Sequence, residues 1–197
     1  MQPQQTFKYP TIKECFGYFD QFEMLDNIRQ HSMQVARVAL SIHDGLAEKR
    51  LNRQERGVIA AGALLHDIAK SICIKNDCRH ATVGCEICEE LGYPEIGNIV
   101  KQHVILTTFD KDSYQQGIFS AEELVYYSDK RVRHDQIVSL QDRFDYIMDV
   151  YGRRNPQSKN IIQRSFQECL LLEEYIFSFL DFNPEEIPLQ AKKISFD

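Results

Sequence analysis

The stretch that decides the fold reads VIAAGALLHD and covers residues 58–67. Eight apolar or small residues precede the pair His66-Asp67, which is typical of a helix enclosed by other helices. A histidine and an aspartate at the end of such a helix need polar partners, because an unpaired carboxylate in apolar surroundings costs several kcal/mol. We therefore expect other buried polar groups to lie next to this pair.

Four further residues of metal-binding type fall within apolar helical stripes, namely His31, His80, His103 and Asp129. A single histidine on an apolar face is more often a hydrogen-bonded core residue than a metal ligand. Several such positions in one chain favour a metal site, because random placement would scatter them over exposed faces. His43 provides the contrast, since it follows His31 by 12 residues and lies about 120° further round the helix. We expect His43 at the surface.

Helical periodicity runs through most of the chain, and no segment longer than a few residues alternates with the period of a strand. We predict an all-α fold, a compact single-domain helical bundle. Helices are predicted over about residues 27–48, 53–70 and 80–91, the last of them ended by Gly92-Tyr93-Pro94. The segment Ser120-Ala121-Glu122-Glu123 predicts a capping box at the start of a further helix.

The chain divides into four predicted parts. Residues 1–26 form an irregular or weakly helical N-terminal lead-in, because Pro3 and Pro10 interrupt any long element. The metal-binding core covers residues 27–134, and C-terminal packing helices cover residues 135–182. The tail, residues 183–197, carries two prolines near its start, and we predict no structure for it.

Composition excludes several classes of function. The 197 residues are 43% apolar, without a signal-peptide pattern and without an apolar run near the roughly 18 residues that span a bilayer. We expect a soluble, cytoplasmic protein with no membrane partner. The net charge of −6 argues against broad nucleic-acid binding, although the basic segment 130–134 could bind one phosphorylated ligand.

Six cysteines in a chain without a secretion signal predict reduced thiols rather than a disulfide framework. The pairs Cys85-x-x-Cys88 and Cys73-x4-Cys78 resemble halves of a zinc site. Because neither has a clean second half, we do not predict a cysteine zinc site.

The mixture of imidazole and carboxylate groups suits iron, manganese, zinc, cobalt or nickel rather than calcium. Asp67 is central by its position in the doublet, so it is the natural bridge between two ions. Two ions about 3.5–4 Å apart bind phosphate oxygens and lower the pKa of a shared water. The residues therefore predict hydrolysis.

The order His31, His66-Asp67 and Asp129 resembles the HD superfamily of metal-dependent phosphohydrolases. The segment Ala63-Leu64-Leu65-His66-Asp67-Ile68-Ala69-Lys70 is similar to the core motif of that superfamily, with Ala69 where the HDIG subgroup has glycine. The resemblance covers about residues 27–134 and implies a helical bundle of the HD-domain type.

His80 and His103 are similar to the additional ligands of two-metal members, such as bacterial diadenosine tetraphosphate hydrolases and cyclic-di-GMP phosphodiesterases. The resemblance implies one ion held by His31, His66, Asp67 and Asp129, with Asp67 bridging to a second ion held by His80 and His103. It implies two divalent or transition-metal ions, with iron or manganese favoured over zinc, cobalt, nickel or magnesium. Since the Gly-Tyr-Pro extension of the cyclic-dinucleotide enzymes is absent near His103, that substrate is disfavoured.

Basic residues near the ligands are the candidates for binding phosphate. Lys70 lies one turn after His66 and Arg133 lies one turn after Asp129, so we expect both to extend from the metal ligands toward a bound phosphate. Lys130 is a weaker candidate, because neighbouring positions on a helix point in different directions. Basic residues are also common at solvated helix ends, which is the alternative for all three. We assign the catalytic roles to Asp67 and Lys70.

Three functions remain open at this point. The first is a metal-dependent phosphohydrolase that cleaves a nucleotide or other small phosphoester with a metal-activated water. The second is an oxygenase that uses a mixed-valence iron pair, because inositol-oxygenase-like members resemble the same ligand set. The third is a signalling or binding module without turnover, which the complete ligand set disfavours. Oxygen dependence and phosphate release separate the first two.

Overall fold

The computed structural model describes residues 8–49, 51, 54–152 and 156–196. Within these residues nearly all regular structure is helical, which confirms the predicted all-α class. The helices are α1 (Ile12–Gln21), α2 (Asp26–Glu48), α3 (Arg56–Leu65), α4 (Lys70–Asn76), α5 (His80–Glu90), α6 (Pro94–Gln102), α7 (Lys111–Tyr114), α8 (Ala121–Lys130), α9 (Leu140–Tyr151), α10 (Pro156–Ser178) and α11 (Ile187–Ala191). The predicted division into four parts stays a prediction.

Helix α3 lies at the centre of the bundle and packs against α1, α2, α6 and α8. All its residues from Val58 to Leu65 are buried. Gly62 allows α6 to approach closely, since a Cβ there would lie 2.8 Å from the side chain of Ile99. The predicted start at Arg53 lies outside the described residues. The helix ends at Leu65 rather than at Lys70, because residues 66–69 form a turn before α4.

Two predicted helix boundaries are confirmed. Gly92 has φ +84° just after α5, and Pro94 is the first residue of α6. At the start of α8, the hydroxyl of Ser120 accepts a hydrogen bond from the Glu123 amide at 3.2 Å. The Glu123 carboxylate accepts one from the Ser120 amide at 2.7 Å. This capping box satisfies two amides that would otherwise lack helical partners.

The lead-in and the tail each contain a short helix where the structure describes them. Residues 12–21 form α1, which begins with a capping box between Thr11 and Glu14 and buries Cys15. Residues 187–191 form α11, which buries Ile187 against the core. Helix formation here follows from the apolar surface that each segment buries, and Pro188 is tolerated because it lies in the first turn of α11. Residues 1–7 and 197 lie outside the described residues.

A short β-hairpin follows α8, where the sequence predicted helix. Helix α8 ends at Lys130, and β1 (Val132–Arg133) pairs with β2 (Gln136–Ile137) in an antiparallel arrangement. His134 occupies the turn with φ +56°. Two-residue strands are too short to produce a recognisable alternating pattern, so the sequence could not predict this hairpin.

The expectation that all cysteines are reduced is wrong at one pair. Cys73 and Cys78 form a disulfide, whereas Cys15, Cys85, Cys88 and Cys169 are free and buried. Asp77 has φ +49° after α4, and this turn brings the two Cα atoms to 4.6 Å. Burial raises the pKa of Cys88 to about 12, so its thiol is a poor metal ligand at neutral pH.

One helical stretch, Arg56–Asn76, is long and apolar enough to cross a membrane by composition alone. This differs from the expectation that no apolar run approaches that length. Because 78% of its most apolar window is buried inside the protein, the stretch is consistent with the core of a soluble protein.

Candidate metal centre

Six side chains of metal-binding type converge where several helix ends meet. They are His31 in the second turn of α2, His66 and Asp67 directly after α3, His80 at the start of α5, His103 directly after α6 and Asp129 near the end of α8. Five of the six are buried, and the His80 side chain is 28% exposed. The structure therefore brings together every ligand residue that the sequence singled out.

The two carboxylate oxygens of Asp67 face different histidines. Its Oδ2 lies 3.4 Å from Nε2 of His66 and 3.8 Å from Nε2 of His31. Its Oδ1 lies 3.4 Å from Nε2 of His80 and 3.5 Å from Nε2 of His103. A carboxylate in this position is able to bridge two ions.

Asp129 completes one side of the cluster. Its Oδ1 lies 3.0 Å from Nε2 of His31 and 3.8 Å from Nε2 of His66. Two overlapping groups, His31 with His66 and Asp129, and His66 with Asp67 and His103, each have their ligand atoms within 4.8 Å of one another. Both groups are buried, so an ion held there would be shielded from bulk water.

Three histidines are anchored through the ring nitrogen that faces away from the cluster. Nδ1 of His31 lies 2.8 Å from the His134 carbonyl oxygen, and Nδ1 of His66 lies 2.7 Å from that of Ala63. Nδ1 of His103 lies 2.6 Å from the carbonyl oxygen of Val100. A backbone carbonyl only accepts, so each Nδ1 donates a proton to it and each Nε2 faces the cluster, where it offers a lone pair to an ion when the ring is neutral.

The residues fit a metal on two independent observations. Nε2 of His66 and Oδ1 of Asp67 are buried and have no hydrogen-bond partner within the described part of the chain. Nε2 of His80 and Nε2 of His103 lie only 3.2 Å apart. Two ligands about 2.1 Å from one tetrahedral or octahedral ion would lie roughly 3.0–3.4 Å apart. The unpaired atoms and the short separation are thus compatible with ligation.

The electrostatics favour the ligating protonation states at Asp67, His80 and His103, whereas the charge of Asp67 outweighs burial and raises the pKa of His66. Burial alone would raise the pKa of Asp67, but Lys70 and His66 outweigh it and hold that pKa well below its usual value. Burial lowers the pKa of His80 to about 4, and it also lowers the pKa of His103. Ionised carboxylates and neutral imidazoles are the forms that bind metals.

Two lysines reach the carboxylates. Nζ of Lys70 lies 2.7 Å from Oδ2 of Asp67, and Nζ of Lys130 lies 2.7 Å from Oδ2 of Asp129. Lys130 also donates to the His103 carbonyl at 2.9 Å, because the end of α8 lies against the end of α6. The reason for ranking Lys130 low, its direction on the helix, is therefore wrong.

Arg133 does not occupy the place that the sequence suggested. Since α8 ends at Lys130, Arg133 lies in β1 and is exposed, with its guanidinium 5.0 Å from the ring centroid of Tyr146. Arg143 on α9 approaches the cluster instead, and its Nη2 lies 3.6 Å from Oδ1 of Asp129. Sequence reasoning missed Arg143, because no ligand spacing marks it.

The prediction that His43 lies at the surface is wrong, because the residue is buried. Its Nδ1 lies 3.0 Å from Oδ1 of Asp44, and its Nε2 lies 3.1 Å from the Gln54 carbonyl oxygen. Gln54, which precedes α3, therefore lies against this face of α2. The angle of about 120° correctly predicted that His43 lies on a different face of α2 from His31. That second face is also buried.

The comparison with protein families agrees with the ligand cluster. The HD-domain family model matches residues 28–147. The chain belongs to the HD-domain family. The match begins near His31, contains all six cluster residues and extends past residue 134 into α9. HD domains bind divalent metals, and the buried His/Asp cluster is compatible with such a site.

Two curated relatives are similar to this HD-domain chain. A tRNA (cytidine(56)-2'-O)-methyltransferase of Picrophilus torridus is 28% identical over 155 residues, which cover 74% of this chain and 42% of that protein. An uncharacterized protein of Methanocaldococcus jannaschii is 24% identical over 146 residues, which cover 70% of this chain and 85% of that protein. The chain thus spans less than half the length of the methyltransferase. No solved structure matches significantly.

Proposed function

We propose that this protein is a metal-dependent phosphohydrolase that cleaves a nucleotide or other small phosphoester. The observation that carries the proposal is the placement of the Asp67 carboxylate, whose two oxygens face separate sets of histidines. Membership of the HD-domain family supports hydrolase-type chemistry in general. Two bound ions would supply a water of lowered pKa as the nucleophile.

The chain's own residues perform the remaining tasks of this reaction. His31, His66 and His103 hold their Nε2 atoms toward the cluster through backbone anchors, so the ligands need little rearrangement. Lys70 and Lys130 place positive charge at its edge, where the negative charge of a phosphoryl group would lie. We assign both lysines to substrate binding, and Asp67 and Lys70 to catalysis.

Arg133 is proposed as an outer substrate contact. It is exposed and packs over Tyr146, whose ring also contacts Arg143, so it extends the positive surface away from the cluster. The net charge of −6 remains unfavourable for broad RNA binding, and the cluster offers hydrolytic rather than methyl-transfer chemistry. We therefore propose a small phosphorylated substrate, although one relative is named for methylating tRNA.

Phosphate release tests the proposal. Protein purified without chelator and without oxygen is supplied with manganese or ferrous iron and assayed against nucleoside mono-, di- and triphosphates and p-nitrophenyl phosphate. We expect metal-dependent release of phosphate or pyrophosphate that a chelator abolishes. Turnover that consumes dioxygen without releasing phosphate would instead identify the oxygenase, and no turnover of any kind would favour the binding module.

A further inference from the structure

Arg143 has unused hydrogen-bonding capacity beside the metal centre. Its side chain, on α9, is 13% exposed, and its Nη2 lies 3.6 Å from Oδ1 of Asp129, beyond hydrogen-bond distance. Its Nε is buried and, among the residues that the structure describes, has no hydrogen-bond partner. A buried donor of a charged group normally has an acceptor, so this arrangement requires an explanation.

The free edge of Arg143 is the one that recognises oxyanions. Nε and Nη2 carry parallel N–H bonds and together form a fork that matches two oxygens of a carboxylate or phosphoryl group. Arg56 shows this use elsewhere in the chain, because its Nε lies 2.9 Å from Oδ1 and its Nη2 lies 3.2 Å from Oδ2 of Asp44. Among the described residues, the fork of Arg143 makes no such two-bond contact.

Charge balance also favours an anion at this position. The cluster contains two carboxylates, Asp67 and Asp129, and each already contacts a lysine at 2.7 Å. Arg143 therefore adds a third positive charge beside two carboxylates, at a longer distance from Asp129 than that of Lys130. Its guanidinium lies 5.8 Å from the Tyr146 ring centroid, and the aromatic contact limits the directions in which the fork can turn.

We propose that Arg143 binds two oxygens of the substrate's phosphoryl group through Nε and Nη2, next to the metal centre. The inference rests on the proposed function for the identity of the ligand as a phosphoryl group. A phosphoryl group bound at the cluster supplies the acceptors that the described residues do not. The fork orients this group and also balances part of its negative charge. Arg143 is thus a substrate-binding residue that lies outside the His/Asp ligand set.

Binding of inorganic phosphate tests this role without turnover. Isothermal titration calorimetry with the metal-loaded protein compares wild type with Arg143→Gln, Arg143→Lys and the control Arg164→Gln, whose arginine is 81% exposed on α10. We expect Arg143→Gln to weaken phosphate binding at least about tenfold, and Arg143→Lys to weaken it nearly as much, because lysine keeps the charge but lacks the fork. Metal content and circular dichroism should be unchanged, and Arg164→Gln should match wild type.

Four results would overturn the inference. Unchanged phosphate affinity in Arg143→Gln would show that an enclosed water or the fold alone satisfies the guanidinium. Full affinity in Arg143→Lys would show that charge suffices, and loss of metal in Arg143→Gln would make the residue structural. Failure of wild type to bind millimolar phosphate would also contradict it.

The substrate panel separates this failure from failure of the proposed function. If wild type hydrolyses a phosphoester while Arg143→Gln retains its KM and kcat, only the Arg143 inference fails. If wild type binds phosphate in an Arg143-dependent manner but hydrolyses nothing, the proposed function fails while the anion site remains.

Discussion

Asp67 is the residue on which the two halves of the metal centre depend, because its oxygens face different histidines. Asp67→Asn removes the charge and one bridging oxygen while keeping the size of the side chain. We expect metal-dependent turnover to fall by at least about a hundredfold, since even residues that only orient ligands contribute 10–100-fold. Steady-state phosphate release measures this, and circular dichroism should show helical content close to wild type.

The matched control is Asp181→Asn, because Asp181 is 77% exposed and pairs with Lys49 away from the cluster. It should retain wild-type turnover. Retention of more than a tenth of the activity in Asp67→Asn would contradict the bridging role.

The sequence predicted the six ligand residues but not Arg143. His31, His103 and Asp129 stand out because polar side chains interrupt apolar helical stripes, and only a shared partner explains several such interruptions. Arg143 approaches the cluster only because the chain turns back through the hairpin of β1 and β2. Nothing in the spacing between Asp129 and Arg143 encodes that reversal.

At the scale of elements, the start of α8 can be weakened without touching the cluster. Ser120→Ala removes the side-chain acceptor that caps the helix carrying Asp129 and Lys130. We expect the free energy of unfolding to fall by about 1 kcal/mol, as measured by urea denaturation. Ser178→Ala is the control, because the exposed Ser178 hydroxyl donates to the Tyr175 carbonyl and caps no helix N-terminus. Equal stability of the two variants would contradict the capping role.

The disulfide constrains the segment between α4 and α5. Its loop-closure contribution is about 2 kcal/mol for so short a loop. We expect Cys78→Ser to lower the free energy of unfolding by up to that amount, and dithiothreitol to destabilise wild type but not the variant. Thiol titration of denatured, unreduced wild type should find the four free cysteines. Six reactive thiols would contradict the bridge.

Local signals predicted some elements and failed for others. Gly92-Tyr93-Pro94 and the Ser120 capping box predicted the correct boundaries, because caps act within a few residues. Helix α1 carries the same kind of signal, Thr11 with Glu14, which the neighbouring proline obscured. Helix α11 is short and depends on contacts with α2, which local sequence does not reveal.

At the scale of the whole molecule, we expect metal binding to stabilise the folded protein. The cluster joins α2, α3, α5, α6 and α8, so bound ions connect most of the bundle. At metal concentrations about 100 times the Kd, binding contributes about 2.7 kcal/mol, which corresponds to a Tm increase of roughly 5–10 °C in a chain of this size. Differential scanning fluorimetry with and without chelator measures the shift. The account is contradicted if chelation leaves the wild-type Tm unchanged, or if Asp67→Asn shows the same shift.

Elemental metal analysis of protein purified without chelator and without oxygen tests the central claim most directly. We predict about two ions per chain for wild type, with iron or manganese prominent, and fewer for Asp67→Asn. One ion or none in wild type would contradict a two-metal centre and leave His80 and His103 as core or substrate-contacting residues.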